Sequence, residues 1–317
     1  MTKLKTRLLF IPLIIMIVSI FFIIYSAKVN GTAVVKNDFD DKAISLASQM
    51  TEKDSIKFKM LNASSFYDAA KGSFDQIVVS DGKEYIININ YALNYKDSLA
   101  YVVSTSNTSK DIVETIVDKE IYQEYTTKEN DKNTKWTGIN GNYNTKNSTE
   151  NETIQMKLNR IDKSGEEIKV QLVGDYLPTP AFNSTYPQQL AVLCLDDSNK
   201  WNIIGTQKFL DRDVYVINGT ISSDISGAKS FGKFEIYVDK ETGIVLQYIV
   251  CDSKGNILEK LITNDIAIIS KGSATNDANI LGSSELKSLM DKKQSENYVE
   301  QNPEKNPKAV DIINSEK

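Results

Sequence analysis

Between residues 74 and 270 the chain is punctuated by short turns that open on Asp and mostly carry Gly, each set between two apolar-rich segments. Asp81-Gly82 separates Phe74–Ser80 from Lys83–Asn90. Asp162 to Gly165 separates Thr153–Ile161 from Glu167–Val173. Asp211 to Asp213 separates Trp201–Phe209 from Val214–Gly219. Asp239 to Gly243 separates Lys233–Val238 from Ile244–Val250, and Asp252 to Asn256 leads into Ile257–Ile269. Asp bonds its own backbone across a turn and Gly supplies the positive φ, so these spacings predict hairpins in series. Leu99–Ser104 and Glu120–Thr127 read as further strands, and residues 128–152 as a long polar loop interrupted by Trp136. Serial hairpins build an antiparallel meander. Tyr85, Ile87 and Ile89 share one face, and such alternation predicts one buried face and one that is solvated or faces a cavity. The expected class is mainly β with a few helices.

The helical signals are short. Ala43, Ile44, Leu46, Ala47 and Met50 have helical spacing, and Ala63–Ala70 reads as a second helix ended by Gly72. Leu190–Leu195, which contains Cys194, reads as a strand, as does the segment ending at Cys251. Residues 175–189, with Pro178, Pro180 and Pro187, read either as a lid loop or as a crossover between two halves of the sheet. After Lys271 the sequence turns small and polar. Ser283–Met290 has the pattern of a short helix, but residues 272–317 as a whole predict a flexible tail that folding does not need.

The N-terminus fixes a compartment. Lys3, Lys5 and Arg7 precede an apolar run from Leu8 to Ala27, long enough to cross a bilayer as one helix. The positive-inside rule then puts residues 1–7 in the cytoplasm and the bulk of the chain outside. The resulting division is a cytoplasmic tail 1–7, a signal anchor 8–27, a stalk 28–40, an ectodomain 41–271 and the tail 272–317. The alternative is cleavage near Ala33 and secretion.

Composition excludes more than it proposes. The 317 residues include no histidine, which removes Ser-His-Asp and Cys-His nucleophiles and histidine metal sites. Two distant cysteines cannot form the usual structural zinc site, and no metal or cofactor is expected. A net charge of −5 does not draw nucleic acid. Ser-x-x-Lys occurs at Ser80, Ser226, Ser230 and Ser284, a frequency that marks composition, not catalysis. Carboxylate pairs such as Asp196-Asp197 fall at turns. No residue set fills catalytic roles, so a non-enzymatic protein is expected. The 15 Tyr, 11 Phe and 2 Trp are more telling, because many lie on strands, where they either pack a core or line an apolar groove. Trp201, Tyr215, Tyr237 and Tyr248 are the candidates for ligand contact.

The stretch from Tyr186 to Ile269 resembles the LolA/RseB-like family of envelope proteins. The residues that carry the resemblance are Trp201-Asn-Ile-Ile-Gly205, Arg212 through Gly219, Phe234 through Leu246 with its Val238-Asp-Lys-Glu-Thr-Gly243 turn, and Asp252 through Asn256. The resemblance implies a curved antiparallel half-barrel of about ten strands around an N-terminal helix and short plug helices, enclosing an apolar cavity. It implies a membrane-tethered binding module for a lipid or apolar envelope ligand or, alternatively, an envelope sensor that acts on a partner membrane protein and holds no small ligand. The chain departs from the family in having no cysteine after the apolar run to take a lipid. Residues 1–7 are also too short to bind a sigma factor.

Overall fold

The computed structural model describes residues 43–118, 121–129, 131–139, 179–221, 231–271 and 283–300. The predicted strands at 153–161 and 167–173, the apolar run 8–27, the stalk and Ala33 lie outside the described residues. Among the described residues no helix is long and apolar enough to cross a membrane.

Helix α1 (Glu52–Leu61) begins at Thr51, whose side-chain oxygen accepts from the backbone N–H of Asp54, with Glu52 and Asp54 in the first turn. The sequence reading missed this helix, since Ile56, Phe58 and Met60 alternate like a strand. The helix buries both flanks. Ile56 and Met60 enter the main core, while Phe58 packs with Ala43, Ala47 and Phe66 in a separate cluster. The helix expected over 63–70 shrinks to a single 3-10 turn, Ala63–Ser65. Tyr67 already starts strand β1.

Twelve strands form one open, curved sheet. β1 (Tyr67–Ser80), β2 (Lys83–Asn94), β3 (Leu99–Ser106), β4 (Ile112–Asp118), β5 (Ile121–Thr127) and β6 (Thr134–Ile139) follow one another as a meander. β7 (Trp201–Phe209), β8 (Arg212–Thr220), β9 (Phe231–Asp239), β10 (Val245–Asp252) and β11 (Ile257–Ser270) form a second meander. The two wings join in the middle, where β11 pairs antiparallel with β1 along most of both strands. The mainly β, curved antiparallel half-barrel is therefore the observed architecture, with twelve strands rather than about ten.

The predicted turns hold with one adjustment. Asp81 and Gly82 both have positive φ, +51° and +71°, as the tight β1–β2 hairpin requires. At the β7–β8 hairpin the turn residues are Leu210 and Asp211, at +50° and +63°, not Asp211 to Asp213. Arg212 is drawn into β8 because its guanidinium holds Asp239 (Nε–Oδ2 2.5 Å) and Glu241 (Nη2–Oε2 2.9 Å).

β6 and β7 lie far apart in the sheet order, β7 at one edge and β6 next to β12 at the other. The described residues before β7 form α2 (Phe182–Thr185) and α3 (Gln188–Leu195). The strand expected at 190–195 is thus a helix. Its Ala191, Cys194 and Leu195 are buried at helical spacing, which a short apolar run does not reveal by itself. α2 and α3 pack with α1 against one face of the sheet, here the inner face: Phe182, Tyr186, Ala191 and Leu195 share the core with Phe74, Ile236, Tyr248 and Leu261. Cys194 and Cys251 are free thiols.

The outer face carries what the sequence presents as tail. Residues 283–300 contain α4 (Ser283–Gln294) and a two-residue strand, β12 (Val299–Glu300), that pairs parallel with Thr134 and Lys135 of β6. Met290 is buried with Leu99, Ile116 and Tyr125. The Tyr298 ring meets that of Tyr125 edge-on, with centroids 5.0 Å apart. A flexible tail does not describe these eighteen positions: Met290, Tyr298 and Lys293, which pairs with Glu114 at 2.6 Å, hold them.

Candidate functional site

Residues opposite one another in adjacent strands share a face, and the face alternates along each strand. The register therefore sorts side chains directly. One inner-face row runs Tyr91–Val102–Thr115–Glu124–Trp136 across β2 to β6. A neighbouring row runs Leu93–Ala100–Val117–Tyr122–Gly138, and Ile89 faces Ser104 on the other side. α1–α3 pack toward the central strands. The β3–β6 part of the inner face is a mixture of apolar side chains and a few polar groups.

Among the described residues six shielded side-chain polar atoms make no hydrogen bond, and two of the hydroxyls lie here. Ser104 Oγ and Thr115 Oγ1 are shielded from water and neither makes a hydrogen bond of acceptable geometry. Glu124 accepts from the Tyr122 hydroxyl at 3.2 Å. Burial pushes the Glu124 carboxyl above the usual carboxylate range, a shift the Tyr122 bond partly offsets. Burial, and next the Glu124 charge, also push the Tyr122 phenol up. The Trp136 ring meets Tyr122 edge-on, with centroids 5.3 Å apart. It lies over the backbone of Gly138, where a Cβ would stand 2.8 Å from Cζ3 of the indole. Glycine at 138 is what lets the indole lie across the β6 backbone beside Tyr122.

The four aromatic residues singled out from the sequence are not gathered into one site. Trp201, Tyr215 and Tyr248 belong to the inner face, but Tyr237 registers opposite Val216 and faces outward, where its ring packs edge-on with Phe209 at 5.7 Å. Trp201 is buried beneath the ammonium of Lys53, 4.6 Å from the ring. Lys53 also donates to the carbonyls of Ser198 at 2.7 Å and Trp201 at 2.5 Å. Tyr215 is half-buried, with Lys240 Nζ 4.8 Å from its ring. Tyr248 is buried and its hydroxyl donates to Glu259. Glu259 also accepts from Gln76 at 2.8 Å, and Gln76 in turn accepts from Asn183 of α2 at 3.2 Å. Two of the four, Trp201 and Tyr248, are thus fixed in the packed core. The residues the sequence reading passed over, Glu124 and Trp136, lie in the other wing. Trp136 stood out only as one aromatic in a polar stretch, and Glu124 only as part of the expected strand Glu120–Thr127. Among the described residues no cluster of Cys, Asp or Glu is arranged to hold a metal ion.

No family model and no curated protein sequence matches the chain. Several solved structures are similar to it. The Pseudomonas aeruginosa MucA/MucB complex matches at 14 % identity over 74 % of this chain and 62 % of that one, with a TM-score of 0.35. An uncharacterised conserved protein of Thermus thermophilus matches at 10 % identity over 73 % and 99 %, TM-score 0.35. The Mycobacterium tuberculosis lipoprotein LppX matches at 10 % identity over 69 % and 94 %, TM-score 0.33. The chain spans less than two thirds of the MucB chain.

Proposed function

We propose that this chain is an extracytoplasmic binding module, tethered to the membrane by residues 8–27, that holds the apolar part of an envelope ligand against the inner face of β2–β6. The observation that carries this reading is the pair of unbonded hydroxyls, Ser104 and Thr115, set among Ile89, Val102, Tyr122 and Trp136. Buried polar groups in native proteins are hydrogen-bonded with few exceptions, and each exception calls for a cause. A ligand with an apolar body and a few acceptors supplies one. Native mass spectrometry of the full chain, extracted from a bacterial membrane in mild detergent, tests it. The expected result is a co-purifying amphiphile that is lost when Ser104 and Thr115 are both replaced by Val. Recovery of ligand-free protein from native membranes overturns it.

A second reading has its own observation. β7 is the last strand of the sheet on its side. Its residues 204–208 are exposed, with Ile204 at 53 %, and Lys208 is its one charged residue. Such an edge accepts a strand from another protein, as an envelope sensor would require. Crosslinking from position 204 in intact cells distinguishes the two: one stoichiometric protein partner favours the sensor, and lipid without protein favours the carrier.

A further inference from the structure

Two carboxylates on adjacent strands face opposite sides of the sheet and are treated differently. Glu114, on the outer face, has a built-in cation, the ammonium of Lys293 at 2.6 Å. Glu124, on the inner face, makes no ion pair among the described residues. Its one hydrogen bond is the Tyr122 hydroxyl, a neutral donor. A half-buried carboxyl without a cation weakens a fold, and an apolar residue at 124 would stabilise this one better. Its surroundings are specific. Trp136 sits directly opposite it in the register, Tyr122 lies two residues away on the same strand and face, and the two rings meet edge-on at 5.3 Å. Gly138 keeps the indole in that position.

Two electron-rich ring systems beside a carboxylate in a half-buried setting match one ligand group, an ammonium, which rings attract through their faces and a carboxylate through its charge. We infer that Glu124, Tyr122 and Trp136 form a seat for the ammonium head of an amphiphile whose apolar body lies along the inner face. This inference rests on the proposed binding role and names the ligand class. The carboxyl held up by burial supports it, because an arriving cation would restore the charged form that burial disfavours.

The test uses the full chain and two probes with the same twelve-carbon tail, dodecyltrimethylammonium and dodecyl maltoside, each below its micellar concentration and titrated by calorimetry. The cationic probe is expected to bind at least about tenfold more tightly. That preference should persist at high salt, which screens general attraction to an acidic surface but not a buried pair. Glu124→Gln should abolish the preference while leaving maltoside binding intact. Trp136→Leu, which keeps the carboxylate, should reduce it several-fold and covers the case in which the first variant does not fold. Equal binding of the two probes overturns the ammonium seat and leaves the apolar site standing. Binding of neither overturns both. A preference that survives Glu124→Gln also overturns the seat.

Discussion

Lys293 of the C-terminal helix reaches the outer face of the sheet and places its ammonium 2.6 Å from the carboxylate of Glu114, with both side chains largely shielded from water. The Tyr101 hydroxyl donates to the same carboxylate, and Glu296 takes the other side of the ammonium at 3.0 Å. Removing the lysine leaves Glu114 shielded and without its counter-charge. Lys293→Ala should therefore cost about 3 kcal/mol, read as a lower urea midpoint with an unchanged slope.

Truncation after Lys271 enlarges the same effect. It uncovers Leu99, Ile116 and Tyr125, removes Met290 and Tyr298, and strips β12 from β6. Burial of one such apolar side chain contributes roughly 2 kcal/mol. The melting temperature should fall by at least several degrees. An unchanged value would show that α4 does not dock in solution.

Gly243 closes the β9–β10 turn at φ +78°, and a Cβ there would stand 2.6 Å from the carbonyl oxygen of Lys59. Both the backbone angle and the contact with α1 exclude a side chain. Gly243→Ala should destabilise by at least about 2 kcal/mol. Gly255→Ala at the next turn, where φ is +88° but nothing lies within 4 Å, should cost less. Chemical denaturation of the pair separates contact from backbone strain.

Glu124 gives stability a pH dependence of defined sign. Burial raises its carboxyl in the folded protein, so the native state holds this proton more tightly than the unfolded chain does. Its contribution is most favourable below the unfolded carboxylate range and is lost as pH rises through the raised folded value. Glu124→Gln removes that loss. The variant should gain on the wild type steadily as pH is raised from mildly acidic to neutral, in urea midpoints measured at each pH. A constant difference would mean that the carboxyl titrates normally.

The thiols should differ in reactivity. Cys194 is buried in α3, and burial, reinforced by the nearby Glu259 charge, pushes its thiol up. Cys251 on β10 is partly exposed. Alkylation followed by mass spectrometry should add one label to the folded protein, at Cys251, and a second only on unfolding. No label even after unfolding would mean that the two are bridged.

The hairpins were legible because turn chemistry is local. Asp81-Gly82 and Asp239 to Gly243 declare φ and hydrogen bonding in a few residues, and the strands around them fall within a few positions of the expected bounds. The helices were not. In α1 the residues buried on two different flanks make a false period of two, and in α3 a run of six apolar residues fits either element. α4 was legible as a helix at Ser283–Met290, but its docking was not, because Lys293 reads as a solvated charge until Glu114 is placed beneath it by a strand 179 positions earlier in the chain. The site was obscured for the opposite reason. Aromatic residues such as Trp201 and Tyr248 stand out in a sequence whether they pack a core or line a groove. What distinguishes Glu124 is its place opposite Trp136 and beside Tyr122 with no cation among the described residues, and only the cross-strand register shows it.

The pairing of β1 with β11 has a consequence for how the molecule is assembled. Each wing is a run of local hairpins that can form as soon as its own residues are available. The seam between them joins Tyr67 to Ser270 and Val78 to Glu259, among the most distant partners in the sheet, and it closes last. A chain made from its N-terminus therefore passes through an interval in which one wing is complete and β1, fourteen residues long, stands as an open border. During that interval it is exposed to pairing with any other extended chain nearby. The rate at which the second wing follows, rather than the stability of the finished sheet, then governs how much of the protein reaches its native state.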